Sequence, residues 1–238
     1  MKIDKRHRYG ILLDTETANT ITEEDGKLCT LYSLPYDLGF KVIDTKGRQY
    51  ENHSYVNADI FYGEKELMQS AYYSKKIPQY IEDIKSGKRV VKNTYQLRKI
   101  IFDLIKKYDI KFVVAHNCRF DLTALNNVQR WTTKSKYRYF FPKGIEFWDT
   151  LKMARDVIGK KETYRQFCEE NGFVTKHLTP QPQFTAEVLY RFITQDTEFV
   201  ESHTGFEDVE IELEIFKYCV RQKKKMRKKL FENFQKNP

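Results

Sequence analysis

Short continuous runs of apolar residues alternate along the chain with longer stretches in which every third or fourth position is apolar. Tyr9-Gly10-Ile11-Leu12-Leu13 and Phe112-Val113-Val114-Ala115 are runs of the first kind, the pattern of central strands buried on both faces. Between them, Phe40-Lys41-Val42-Ile43 leads into the turn signal Asp44-Thr45-Lys46-Gly47, and the chain returns from Arg48 to Tyr55. That predicts antiparallel strands. Leu97, Ile100, Ile101, Leu104, Ile105 and Tyr108 recur at helical spacing among Lys, Arg and Asp, which predicts an amphipathic helix feeding the strand at Phe112. Another strand is predicted over Ile145-Glu146-Phe147-Trp148, with helices near 151–158, 162–171 and 184–194. The last helix is the clearest: Phe206, Val209, Leu213, Phe216 and Val220 form its stripe, widened by Ile211 and Ile215. A strand, helix, strand succession places parallel strands side by side. The expected fold is α/β, a mixed five-stranded sheet with helices on both faces.

With 238 residues and no internal repeat or low-complexity linker, one sizeable domain is expected over residues 1–220. A basic tail, 221–238, follows. It holds eight Lys or Arg against one acid, so seven of the nine net positive charges sit there. Such a run is most often a solvated helix end, but beside a nucleic-acid site it would track phosphates. No stretch of about 18 apolar residues suggests a membrane span. The basic segment Met1–Arg8 lacks the apolar core of a signal peptide. Cys29, Cys118, Cys168 and Cys219 form no C-x-x-C pair, so reduced structural thiols and a cytoplasmic location are expected.

Candidate chemistry lies where the predicted strands and the last helix begin or end. Asp14 and Glu16 close the first apolar run with Thr15 and Thr17 beside them. Residues two apart in a strand share a face, so both carboxylates can serve one cation. Capping of a turn by Asp14 is the blander explanation and the better one for this pair alone. His116 and Asn117 leave the strand at Phe112 by its carboxyl end, where open α/β sheets bind ligands. Asp121 follows, and could otherwise cap a helix beginning at Leu122. His203 precedes Asp208 by five residues at the head of the last helix, whose Glu207, Glu210, Glu212 and Glu214 read as an acidic outer face. Four carboxylates, Asp14, Glu16, Asp121 and Asp208, would repel one another in one cleft unless divalent cations neutralised them. A metal-dependent phosphodiester-cleaving site is therefore the leading expectation.

Taken together, Asp14-x-Glu16 after a first strand, Ala115-His116-Asn117-x-x-Phe120-Asp121 after a later one, and His203-x-Gly205-x-x-Asp208 opening the last helix resemble the DnaQ-like DEDDh 3′→5′ exonucleases of the ribonuclease H-like superfamily. The resemblance spans roughly residues 9 to 220 and extends to the junction Trp148-Asp149-Thr150-Leu151. A tyrosine subgroup carries Tyr four residues before the last Asp, where this chain has Thr204, so the histidine subgroup is indicated. The family commonly has alanine at the position of Gly205, a small-for-small exchange expected to be harmless. It also has small residues after the first motif, where this chain has Ala18-Asn19 and then the acidic Glu23-Glu24-Asp25.

The resemblance implies two Mg²⁺ or Mn²⁺ ions, one held by Asp14, Glu16 and Asp208, the second bridged by Asp14 and oriented by Asp121. It implies His203 as general base and nucleoside 5′-monophosphates as products, released one at a time from single-stranded 3′ ends. A stand-alone bacterial or phage member, with any polymerase on a separate chain, is the expected setting. Thr15, Thr17, His116 and Asn117 are candidate substrate contacts. So are Lys134, Lys136, Tyr137 and Arg138, in a segment from Trp131 to Lys143 that interleaves bases with rings able to stack on nucleobases. Phe140, Phe141 and Trp131 could equally be core. A second basic-aromatic stretch, Tyr72-Tyr73-Ser74-Lys75-Lys76, has no role the sequence discloses. Two alternatives remain: an exoribonuclease on the same site, and a catalytically silent nucleic-acid-binding or polymerase-docking module.

Overall fold

A computed structural model describes residues 3–18, 21–22, 28–29, 33–69, 71, 74–134 and 139–231. In chain order, β1 (Tyr9–Ala18) is followed by the short β2 (Ile21–Thr22) and β3 (Leu28–Cys29). Then come β4 (Leu34–Asp44), β5 (Gln49–Asn57), α1 (Ala58–Phe61), α2 (Lys65–Gln69), α3 (Ile77–Lys85) and β6 (Val90–Lys92). The second half holds α4 (Thr94–Tyr108), β7 (Phe112–Ala115), α5 (Arg119–Thr133), β8 (Glu146–Asp149), α6 (Thr150–Val157), α7 (Glu162–Glu170), α8 (Ala186–Thr194) and α9 (Gly205–Arg221).

The main sheet has the order β6-β5-β4-β1-β7-β8, while β2 and β3 pair separately. The expected five strands are present, and β6 adds a sixth. It lies parallel to β5 at the sheet edge, and three residues are too few to show a hydrophobic period. β1 runs antiparallel to β4 and parallel to β7, so β1 and β7 end on the same side of the sheet.

Alternation along the strands divides the core. Ile11, Leu13, Val113 and Phe147 pack with Ile101 and Leu104 of α4 and Leu122 and Leu125 of α5. Leu12, Val114 and Trp148 face the opposite way, against α6, α8 and α9. A third cluster, around Tyr36, Phe61 and Tyr80, lies under the α1–α3 insertion. α4 begins on a full capping box, Asn93 with Gln96, which satisfies two orphan backbone donors.

Cys118, Cys168 and Cys219 are buried free thiols. No helix among the described residues is long and apolar enough to cross a membrane. The start of the basic tail lies along β8. Leu230 N–H donates to Phe147 O at 2.7 Å, Asp149 N–H donates to Lys228 O at 2.8 Å, and Arg227 pairs with Asp156.

Candidate active site

Strand alternation puts Asp14 and Glu16 on the face of Leu12, toward α9. Asp14 is paired with Gly39 on β4, and Glu16 with Asp37, just before an irregularity in the register. Glu16 is 9% exposed. Asp14 Oδ2 is buried with no hydrogen-bond partner.

Thr15, pointing the other way, fixes the next carboxylate. Its N–H and its Oγ1 both donate to Asp121 Oδ1, at 3.1 and 2.8 Å. Asp121 is therefore a first-turn residue of α5, which starts at Arg119, and does not act as that helix's cap.

The third side of the site is α9. Asp208, 4% exposed, lies one turn inside it, with Oδ1 buried and unpartnered. Ligand atoms of Glu16, His203 and Asp208 all lie within 4.8 Å of one another. His203 sits just ahead of the helix in the left-handed backbone region, φ 52°, uncommon for a residue with a Cβ. Its Nδ1 is 3.9 Å from Glu201 Oε2, and its carbonyl accepts a hydrogen bond from Lys76 Nζ at 3.4 Å.

Burial first, and then the charges of Glu212, Asp121, Glu16 and Asp208, push the Asp14 carboxyl well above its usual range. Burial likewise raises Glu16 and Asp208, with Asp37 the next contributor for Glu16 and Glu201 for Asp208. Asp121 is pushed up to about 7 by burial, against the Thr15 hydrogen bonds. His203 moves the other way, lowered by burial and then by the Lys76 ammonium, which keeps the imidazole neutral and able to accept a proton. Buried carboxylate oxygens without partners, next to like charges, fit a divalent cation. Donors that are nearly all oxygen suit Mg²⁺ or Mn²⁺.

Glu16, His203 and Asp208 thus lie within ligand distance of one another, and Asp14 is near enough to Asp121, Glu16 and Asp208 for their charges to act on it. The other candidates are spread more widely. Thr15 and Thr17 are buried. His116 has both ring nitrogens engaged: Nε2 donates to Phe184 O at 2.8 Å, and Nδ1 lies 3.0 Å from Thr150 Oγ1. Asn117 is exposed in the left-handed region, its N–H donating to Asp149 Oδ1 at 3.1 Å. Lys134 ends α5, roughly 20 Å along the helix from Asp121 at 1.5 Å per residue. Lys136, Tyr137 and Arg138, like Tyr72, Tyr73 and the acidic stretch Glu23-Glu24-Asp25, lie outside the described residues. Phe140 and Phe141 are core, whereas Trp131 and Tyr139 are exposed.

Three neighbours of the site were not visible as such in the sequence. Glu212, expected on the outer face of α9, is 2% exposed and faces inward. Its i,i+4 spacing from Asp208 was the available signal. Asp37, fully buried, accepts from Tyr80 Oη, Arg89 and the N–H of Gly205 at 2.6, 3.0 and 3.2 Å, and so fixes the start of α9. Lys76 arrives from the α1–α3 insertion, at the end of the basic-aromatic stretch whose role the sequence did not disclose.

No protein-family profile matches the chain, and no curated protein matches it. Solved structures do. Escherichia coli exonuclease I in complex with a dA16 oligonucleotide superposes with a TM-score of 0.52 at 13% identity, over 90% of this chain. The chain spans 41% of that protein's length. A full-length 3′-exonuclease superposes with a TM-score of 0.54 at 14% identity, over 98% of this chain and 67% of the other. On that architecture, the chain has the ribonuclease H-like fold found in these exonucleases.

Proposed function

We propose that the chain is a divalent-cation-dependent 3′→5′ exonuclease of the DEDDh type. It hydrolyses single-stranded DNA from the 3′ end and releases nucleoside 5′-monophosphates. The supporting observation is the grouping of Glu16, His203 and Asp208 within ligand distance, with Asp14 and Asp121 close by and Asp14 and Asp208 each holding a buried oxygen that no protein donor satisfies. Asp14, Glu16 and Asp208 would hold one Mg²⁺ or Mn²⁺, and Asp14 with Asp121 would serve a second. When bound, such a pair makes water a better nucleophile and offsets the charge that develops on phosphate and leaving oxygen.

The protein's own part is to hold groups and move a proton. Neutral His203 takes a proton from the attacking water as its oxygen bonds to phosphorus. The P–O3′ bond breaks, and the O3′ leaving oxygen collects a proton from solvent. Thr15 holds Asp121 by two hydrogen bonds to one oxygen, and the other oxygen would be the one to serve a cation. The likeness to an exonuclease I solved with a DNA oligonucleotide makes single-stranded DNA the first substrate to test.

The test uses single strands of DNA and RNA, labelled at the 3′ or the 5′ end, with Mg²⁺, Mn²⁺ or EDTA. A 3′ label should appear at once as mononucleotide, while a 5′ label should run down as a ladder. EDTA or Asp14→Ala should stop both. Intact DNA and RNA in Mn²⁺ would refute nuclease activity, and a ladder on RNA alone would reassign the substrate.

A further inference from the structure

Glu212 lies one turn beyond Asp208 on α9, on the same side of the helix. Its side chain is 2% exposed. One oxygen, Oε1, accepts the backbone N–H of His116 at 2.9 Å, at the carboxyl end of β7. The other, Oε2, is buried and has no hydrogen-bond partner. Glu212 is the foremost charge acting on Asp14, ahead of Asp121, Glu16 and Asp208. The foremost charge acting on Glu212, in turn, is that of Asp121.

A desolvated carboxylate among other carboxylates is strongly unfavourable unless something neutralises it. A proton on Oε2 would at most bridge to a neighbouring carboxylate oxygen, neutralising one charge of the group and leaving the others unmet. A proton on Oε1 would face the His116 N–H and cost that hydrogen bond. A cation resolves the conflict, and the oxygens left open beside Glu212 are Asp14 Oδ2 and Asp208 Oδ1, both on residues assigned to the ions in the proposed site.

We propose that Glu212 is a fifth carboxylate of the cation centre, with Oε2 turned to the ions and Oε1 tying that centre to β7 through His116 N–H. This rests on the nuclease reading of the site. It makes Glu212 a positioning and charge-supplying residue for cation binding, beyond the set Asp14, Glu16, Asp121 and Asp208.

Glu212→Gln tests it, because glutamine keeps the shape and the Oε1 acceptor and replaces the charged, ion-facing Oε2 with a neutral amide NH2. Mn²⁺ binding to the full chain is measured by calorimetry for the native protein, Glu212→Gln and Asp14→Asn, alongside thermal melting in EDTA. Glu212→Gln should bind Mn²⁺ about 10–100-fold more weakly, the usual loss when support of a metal site is removed. In EDTA it should melt higher than the native protein, since one buried repulsive charge is gone. If the glutamine variant does not fold, Glu212→Met, of similar length and uncharged, is measured against the same affinity expectation. Native Mn²⁺ affinity in the Glu212 variant, with binding lost in Asp14→Asn, would overturn the role of Glu212 alone. No Mn²⁺ binding by the native protein would overturn the nuclease reading as well.

Discussion

Gly39 on β4 and Gly205 at the start of α9 touch backbone to backbone: a Cβ built on Gly39 would lie 1.7 Å from the Gly205 carbonyl oxygen. Gly39 is also the cross-strand partner of Asp14. The first turn of α9 therefore rests on the strand beside Asp14, and this contact places Asp208 in the cleft. Gly205 is nearly as confined, since a Cβ there would be 2.9 Å from Gly39 N and 3.4 Å from Asp14 O. The exchange of Gly205 for alanine, expected from the sequence to be harmless, meets a crowded backbone. Gly39→Ala should cost about 1–3 kcal/mol, as overpacking does. By displacing α9 it should lower nuclease rate on the order of 10²-fold. Melting curves and a single-turnover assay check both, and Gly205→Ala should show the smaller effects.

His203→Ala should lower the rate by roughly 10²–10⁴, the usual worth of a general base, while leaving Mn²⁺ binding within a few-fold. Because burial and Lys76 lower its pKa, the acid limb of the rate profile should lie below that of an ordinary histidine. Lys76→Gln removes one of those causes and should move the limb to higher pH. A pH–rate series on the two variants and the native protein decides this.

Without metal, stability should fall as pH rises. The folded-state pKa of Asp121 is pushed up to about 7, and that of Asp208 to about 9, by burial and neighbouring acids. Unfolded carboxylates titrate near roughly 4. A carboxyl with a raised folded pKa binds its proton more tightly when folded, so its contribution is full below about pH 4 and lost as pH passes the folded value. Melting temperatures in EDTA should decline between about pH 5 and 9, and saturating Mn²⁺ should flatten the decline. An EDTA melting temperature that rises across that interval would contradict the burial of these acids.

Arg89→Ala should be among the costliest substitutions outside the cleft. Arg89 and Asp37 form a buried ion pair at 3.0 Å, with side chains 5% and 0% exposed. Truncating the arginine strands a buried carboxylate, at about 3–5 kcal/mol. Denaturant unfolding measures it, and loosening of the α9 start through Gly205 should lower activity in parallel.

Deleting residues 222–238 should destabilise the sheet edge and alter DNA binding at once. Leu230 and Lys228 hydrogen-bond to β8, Lys229 pairs with Glu146, and Lys228 lies over the Trp148 ring. Lys223, Lys224 and Lys225 are exposed. The salt dependence of single-strand binding should flatten by about 0.7 for each phosphate that the shortened chain no longer neutralises. An unchanged slope would limit the tail to covering β8.

Much of this architecture was legible locally. The runs at Ile11 and Phe112, the stripe from Leu97 to Tyr108 and the last helix each carry their own period, and each became the expected element. Asp121, His203 and Asp208 sit where α5 and α9 begin, as the pattern placed them, whereas Asp14 and Glu16 lie inside β1, which runs on past the apolar run to Ala18. Glu212 did not follow from the pattern, although its spacing from Asp208 was visible. On the sequence alone, a glutamate among Glu207, Glu210 and Glu214 looks solvated. Whether it is buried depends on how wide an arc of the helix is covered.

Order of strands and helices, and the placing of Asp121 and Asp208 in the first turns of theirs, are properties of short stretches, and the chain's own periodicity determined them. Tertiary packing decided the rest. α9 lies across the sheet with α6 and α8 beside it, so its buried arc includes Asp208 and Glu212 as well as Val209, Leu213 and Phe216. The insertion delivers Lys76 to His203, and the tail closes the edge of β8, through contacts between residues far apart in the chain. No local period encodes such meetings, because they exist only once the separate elements have packed.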